Sequence, residues 1–105
     1  MAVLPVVATT VGQVLADHVD RVRPDAIVGL GECRGADLIK VERVAVNLLD
    51  FAADNSGAAC RDASIVPDGP MAYRSTLPDR AIRDALADRG IPCDLSMTAG
   101  TYLCN

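Results

Sequence analysis

The sequence predicts an α/β fold in which an open, twisted and largely parallel sheet is flanked by helices. Apolar β-branched runs alternate with amphipathic helical patterns in the order β, α, β, β, α, β, and the start of a further helix follows. The run A-I-V-G-L-G at 26–31 is continuously apolar, which is typical of a strand covered on both faces of a parallel sheet. Gly29 and Gly31 in this run allow a close backbone approach or a turn. Because sites in such sheets form at the carboxyl ends of strands, we expect functional residues in the loops that follow them.

The first part of the chain predicts an edge strand and one helix. Residues 3–7 are rich in valine but contain a proline, which suits an edge strand. Thr10 and Gln13 have the form of a capping box, and apolar residues then follow at helical spacing. His18 falls on this apolar stripe, so we interpret it as a packed histidine without a chemical role. The stripe consists of Val11, Val14, Leu15, His18, Val19 and Val22.

The run V-E-R-V-A-V-N-L-L-D at 41–50 predicts another strand, with Glu42 on the same face as the alternating apolar residues. A carboxylate in that position must lie at the mouth of the strand or have a partner, because burying it alone is costly. Alternatively, the strand begins one or two residues later and Glu42 is merely exposed. Periodicity leaves both interpretations open. Residues 51–68 are small and polar, and they predict an excursion from the sheet.

A second helix is marked between Ser75 and Gly90. Pro78 suits its first turn, and Gly90 suits the position just beyond its end. Charged residues spaced four apart predict ion pairs on its exposed face. The expected pairs are Asp79 with Arg83 and Arg80 with Asp84.

The composition excludes several classes of protein. The chain has 105 residues, which is the size of one domain, and a net charge of −4, which argues against nucleic acid or an anionic membrane as a partner. It lacks an apolar run long enough to cross a bilayer, and no signal peptide is evident, so we expect a cytoplasmic protein with free thiols. The cysteines form no C-x-x-C pair and His18 is the only histidine, so we expect no metal site.

The closing stretch, S-M-T-A-G-T-Y-L-C-N at 96–105, suggests a nucleophile. Residues 91–97 alternate as a strand with Cys93 among the core-facing side chains, and small residues at 98–100 then turn the chain. A helix starting at 101 would set Cys104 at its positive end, where a thiolate is favoured. A cysteine nucleophile also needs a base and a third polar group that orients the base.

Three segments resemble the pyrrolidone-carboxylate peptidases, or type I pyroglutamyl peptidases. They are V-E-R-V-A-V-N-L-L-D at 41–50, G-P-M-A-Y-R-S-T-L-P at 69–78 and T-A-G-T-Y-L-C-N at 98–105. The resemblance implies a cytosolic cysteine peptidase that removes N-terminal pyroglutamyl residues from peptides without a cofactor, on a phosphorylase/hydrolase-like three-layer fold, as a homotetramer. It implies that Cys104 is the nucleophile and Glu42 the carboxylate of a Cys-His-Glu triad. Tyr102 and Leu30 are implied to line the pocket for the pyroglutamyl ring.

The chain also departs from the family pattern. In the family, a histidine lies downstream of the C-N pair, and a glycine- and phenylalanine-rich segment precedes the strand that corresponds to residues 3–7. The family also carries an arginine in the stretch after Asp50, where this sequence has Ala52 and Ala53. We therefore expect residues 1–105 to be a single, incomplete domain of the pyroglutamyl-peptidase type with exposed apolar surface on its sheet. Two alternatives remain: a catalytically inactive truncated remnant that lacks its histidine base, and a small α/β binding module.

Overall fold

The computed structural model describes residues 1–105 and contains two helices and six strands. The helices are α1 (Ala8–Val22) and α2 (Asp79–Ala87). The strands are β1 (Ile39–Glu42), β2 (Val44–Val46), β3 (Leu49–Phe51), β4 (Cys60–Ala63), β5 (Ala72–Arg74) and β6 (Cys93–Ser96). The predicted α/β class is confirmed. Neither helix has the length and apolar character required to span a bilayer.

The strands form three pairs, of which one is parallel. Strand β1 runs parallel to β6, with Glu42 opposite Ser96. Strand β2 pairs antiparallel with β5, and β3 pairs antiparallel with β4. Arg43 separates β1 from β2, and its N–H donates to the carbonyl oxygen of Ser96 at 2.9 Å, so the backbone stays tied to β6 across the break. The end of β1 therefore lies where a parallel pair gives way to antiparallel ones.

Two predicted strands do not form. Residues 3–7 and 26–31 have no strand partner. A strand exists only where a neighbour pairs with its backbone groups, and a periodicity argument cannot supply that neighbour. In the second segment Leu30 is 90% exposed. Conversely, the polar excursion at 51–68 contains β4, which the sequence did not predict.

The predicted capping box at the start of α1 is wrong. The helix begins at Ala8, and the side chain of Gln13 donates to Asp17 instead of reaching back to the helix start. The cap comes from far along the chain, because the N–H of Ala8 donates to Oδ2 of Asp54 at 2.8 Å across 46 residues. The other carboxylate oxygen accepts bonds from the N–H and hydroxyl of Ser56 and from the N–H of Ala58. Asp54 thus joins α1 to the turn between β3 and β4.

Asp54→Asn is expected to lower stability at neutral pH and to flatten its acid dependence. The Ser56 hydroxyl, followed by the N–H of Ala8, lowers the pKa of Asp54 to about 2. A lowered folded pKa means that the carboxylate stabilises the fold above its unfolded pKa near 4, and that this contribution is lost as pH falls from about 4 to about 2. Urea midpoints measured across this range check the prediction. Asp20→Asn, which alters an exposed carboxylate of α1, is the control. An acid limb that is identical in Asp54→Asn and the unsubstituted chain would contradict it.

The charges at the start of α2 pair differently from the prediction. Asp79 does not meet Arg83, since its Oδ2 accepts from Nε of Arg43 at 2.7 Å and lies 4.0 Å from Nη2 of Arg74. Arg83 instead pairs with the adjacent Asp84. The hydrogen bond from Arg43 holds the pKa of Asp79 below its usual value, against the opposing effect of burial. The ion pair predicted from the i,i+4 spacing is wrong because Asp79, the first residue of the helix, is buried against the sheet rather than exposed.

The interior is small and much apolar surface is exposed. Phe51 is the only buried apolar side chain. Helix α2 packs on β6 and β1, and Sγ of Cys93 lies 3.3 Å from the carbonyl oxygen of Arg83. Apolar side chains are exposed as expected, but those that are more than half exposed lie outside the strands rather than on the sheet. Those more than half exposed include Val22, Ile27, Val28, Leu30, Met71 and Met97.

Candidate active site

Glu42 and Cys104 line one cleft of about 220 Å³. Glu42 is the last residue of β1, and Cys104 lies in a turn that follows β6 and the loop after it. Their meeting agrees with the expectation that a site forms at the carboxyl ends of parallel strands. The cleft is lined by Glu42, Arg43, Val44, Ala45, Tyr73, Arg74, Ser75, Ala99, Cys104 and Asn105.

The side chain of Glu42 is half-buried, and one of its carboxylate oxygens has no hydrogen-bond partner. Its Oε2 is shielded from solvent and accepts nothing within the chain. Because Glu42 belongs to β1 and pairs in register with Ser96, the interpretation that it lies at the mouth of a strand is the correct one. A buried carboxylate oxygen without a donor is unfavourable. Oε2 is therefore ready to accept a hydrogen bond from a group that enters the cleft.

Cys104 lies in a tight turn and not at a helix start. The N–H of Asn105 donates to the carbonyl oxygen of Tyr102 at 3.1 Å, and no helix forms at 101–105. The predicted activation of the thiol by a helix dipole is therefore not present in this structure. The thiol is exposed and forms no disulfide. A β-carbon at Gly31 would lie only 3.3 Å from Sγ of Cys104, so the close backbone approach predicted for this glycine occurs against the thiol.

Two reciprocal pairs of hydrogen bonds hold the loop that carries Cys104. The side-chain amide of Asn105 accepts from the N–H of Val46 at 2.9 Å and donates to its carbonyl oxygen at 2.5 Å. The backbone of Thr101 accepts from the N–H of Asp50 at 3.0 Å, and its hydroxyl donates to the carbonyl oxygen of Asp50 at 2.7 Å. The loop after β6 is thereby tied to the β2–β3 segment on both sides of the thiol.

A cluster of one carboxylate and two guanidinium groups borders the cleft. Arg43 and Arg74 line it, and both face Asp79 at the start of α2. The side chain of Arg74 is 72% exposed, whereas that of Arg43 is 21% exposed. Sequence reasoning missed this cluster, because the pair of Arg43 and Asp79 spans 36 residues and no local spacing marks it.

The structure does not bring the other two predicted site residues into the cleft. The ring of Tyr102 packs edge-to-face on Phe51, with a centroid distance of 5.1 Å and an interplanar angle of 88°. Leu30 is almost fully exposed. Each is close in sequence to the thiol or to the glycine beside it: Tyr102 accepts the hydrogen bond that closes the turn containing Cys104, and Leu30 precedes Gly31. Their roles in ring binding stay predictions.

No imidazole lines the cleft. His18, the only histidine, lies on α1, where its Nδ1 meets the guanidinium of Arg21. No group of three or more histidine, cysteine, aspartate and glutamate side chains is arranged to hold a metal ion. Beside the two guanidinium groups, the cleft offers a free thiol and a carboxylate with one unpaired oxygen.

Comparison with known proteins gives a consistent result. The sequence model of the pyroglutamyl peptidase family matches residues 1–105. The pyrrolidone-carboxylate peptidase of Pyrococcus furiosus is 43% identical over 104 residues, which are 98% of this chain and 50% of the relative, and that of Bacillus mycoides is 43% identical over 94 residues. The chain spans about half the length of the curated relatives it matches.

Solved structures agree with the sequence relatives. The pyrrolidone carboxyl peptidase of Thermus thermophilus superposes with a TM-score of 0.92 at 41% identity, over 98% of this chain and 54% of the other. That of Thermococcus litoralis gives a TM-score of 0.93 at 41% identity, over 96% and 46%. The family model matches every residue, and the fold agrees at this level of identity. The chain therefore belongs to the pyroglutamyl peptidase family.

Proposed function

We propose that Cys104 and Glu42 serve a cysteine peptidase that removes N-terminal pyroglutamyl residues from peptides. The observation that carries the proposal is their placement in one cleft, where a free exposed thiol meets a carboxylate whose Oε2 lacks a donor. A cysteine peptidase needs a nucleophile, a base and a polar group that orients the base. Cys104 would be the first and Glu42 the third, and the unpaired Oε2 supports this assignment because it could accept an imidazole N–H.

The reaction is an acyl transfer in two steps. The thiolate of Cys104 attacks the carbonyl carbon of the pyroglutamyl residue, the C–N bond breaks, and the departing amine takes a proton from an imidazolium. Water, deprotonated by the imidazole, then attacks the thioester carbon, the C–S bond breaks, and pyroglutamate leaves while the thiol is restored. Glu42 would accept the imidazole N–H and stabilise the imidazolium. His18 contacts Arg21 on α1 and does not line the cleft. The imidazole of this mechanism is therefore not His18 in the arrangement seen here.

We propose that Tyr102 and Leu30 contact the pyroglutamyl ring. The ring of Tyr102 packs on Phe51 and lies two residues before Cys104, while Leu30 adjoins Gly31, where an added β-carbon would lie 3.3 Å from Sγ of Cys104. A lactam ring presents an apolar face together with an N–H and a C=O, so apolar walls beside the thiol suit it. An ordinary N-terminus would bring a charged amine into the same space, and its desolvation would oppose binding.

The assembly and the cellular location that we propose follow from two surface properties. All four cysteines are free thiols, which persist in the reducing cytoplasm. Large apolar side chains such as Ile27, Val28 and Met97 are exposed, and such surface favours association. The number of subunits that we propose, four, comes from the family resemblance alone.

An affinity label tests the proposed function directly. Pyroglutamyl chloromethyl ketone alkylates a thiolate with loss of chloride, and mass spectrometry identifies which cysteine carries the label. We expect Cys104 to be labelled at least about tenfold faster than Cys33, because only Cys104 lies where a bound ring would place the reactive carbon. Cys33 is the internal control, since it is also exposed. Iodoacetamide, which lacks the ring, supplies the undirected rates of both thiols.

The comparison of the two reagents decides the outcome. A preference for Cys104 that appears with the pyroglutamyl reagent and disappears with iodoacetamide supports the proposal. If the same ratio of Cys104 to Cys33 is found with both reagents, the cleft does not recognise the pyroglutamyl group and the proposal is wrong.

A further inference from the structure

The side chain of Asn105 occupies the edge of a strand. The N–H of Asn47 donates to the carbonyl oxygen of Met71 on the β5 side. Successive residues of a strand direct their backbone groups to opposite edges, so Val46 points away from β5. The N–H and C=O of Val46 both bond to the Asn105 amide, at 2.9 and 2.5 Å. A single side chain thus takes the place that the backbone of a neighbouring strand would fill.

The contact between Asn105 and Val46 constrains Cys104, the residue before Asn105. Asn105 directly follows Cys104, and Val46 belongs to β2, which is separated from Glu42 at the end of β1 by Arg43 alone. The amide therefore links the chain at the thiol to the backbone that carries the carboxylate. We propose that Asn105 is a positioning residue, whose amide fixes Cys104 relative to Glu42. The inference rests on the proposed function, which gives that relative position its purpose.

The contact requires an amide. An asparagine side chain offers one acceptor and one donor group in one plane, which matches the C=O and N–H of a backbone residue. Aspartate keeps the shape and the acceptor for the N–H of Val46, but it sets a carboxylate oxygen against the carbonyl oxygen of Val46. The Thr101 contact with Asp50 holds the same loop to the same segment through a hydroxyl, so it provides a matched comparison.

Asn105→Asp is expected to lower the rate at which pyroglutamyl chloromethyl ketone labels Cys104 by about 10²-fold, because a displacement near 1 Å at the reacting atom has an effect of that size. Alkylation of Cys104 by iodoacetamide, relative to Cys33, is expected to stay within about twofold, since that reaction needs no bound geometry. Thr101→Val removes the other side-chain tie and is expected to retain most of the directed labelling. Circular dichroism verifies that each variant is folded. If Asn105→Asp does not fold, Asn105→Ala is measured in its place.

Each outcome has a defined meaning. Directed labelling equal to that of the unsubstituted chain, or an equal loss in Thr101→Val, would show that Asn105 does not position the thiol. If the unsubstituted chain itself shows no directed preference, the proposed function fails, and the tie is then judged from amide exchange. Faster exchange of the Val46 N–H in Asn105→Ala, with that of Asp50 unchanged, would support the tie. Unchanged exchange at Val46 would overturn it.

Discussion

Cys104→Ser is expected to abolish hydrolysis of a fluorogenic pyroglutamyl amide by the 105-residue chain in the presence of added imidazole. The cleft holds the thiol and an unpaired carboxylate oxygen but no imidazole, and its volume of about 220 Å³ admits a small heterocycle. Under the proposed mechanism, free imidazole that enters the cleft would carry out the proton transfer. We expect a loss of at least about 10³-fold on removal of the thiol, because a hydroxyl without a strong base is a poor nucleophile. The measurement is the initial rate as a function of imidazole concentration.

The matched control for this experiment is Cys33→Ser. It removes a second exposed thiol that does not line the cleft, so the imidazole-dependent rate should be retained. Loss of activity in both variants would point to general damage by the substitution. A rate in Cys104→Ser equal to that of the unsubstituted chain would contradict the assignment of the nucleophile.

Glu42→Gln is expected to lower the same imidazole-dependent rate by on the order of 10²- to 10⁴-fold, because the amide neither stabilises an imidazolium nor selects the required tautomer. The buried Oε2 would become, in one rotamer, an NH₂ group that donates rather than accepts. The concentration of imidazole needed for half the maximal rate should also rise, since the site loses an acceptor for the ring N–H. Titrating imidazole against each variant separates this effect from a change in the maximal rate.

A charge-matched control accompanies the Glu42 variant. Asp20→Asn removes one negative charge from the exposed face of α1, and it should leave both kinetic parameters unchanged. An unaltered response to imidazole in Glu42→Gln would mean that the carboxylate does not contact the base. The role proposed for Glu42 would then be wrong, while that of Cys104 would be judged by its own variant.

The sequence was informative where local pattern and local structure coincide. The strand predicted at 91–97 forms over 93–96, with Met97 exposed, and Gly90 ends the turn after α2 at φ 72°, two residues beyond the C-cap Asp88. The parity of Glu42 with the apolar residues of its strand raised the question that the structure answers, since its carboxylate is half-buried at the end of β1. Family resemblance was needed to connect it with Cys104, because residues distant in sequence have no common spacing.

The sequence was uninformative where a carboxylate has its hydrogen-bond partners far along the chain. Asp54 lies in the stretch for which the sequence predicts only an excursion from the sheet, yet it caps a helix whose own first residues suggest a different cap. Asp79 was assigned to an exposed face, yet it is buried against an arginine of the sheet. In both cases a carboxylate is held by tertiary contacts, and no local propensity encodes which donors the folded chain will bring to it.

The parallel pairing of β1 with β6 also bears on the order in which the site is assembled. Strands β3 and β4 are close in sequence and β2 and β5 only moderately separated, whereas β1 and β6 come from opposite halves of the chain. The entropy of loop closure opposes such distant contacts more than local ones. The two antiparallel pairs are therefore expected to form before the parallel pair. Glu42 and Cys104 then come to line one cleft only after this most distant strand pairing is complete. Labelling of Cys104 by a pyroglutamyl reagent during refolding would therefore report the final step of folding in real time.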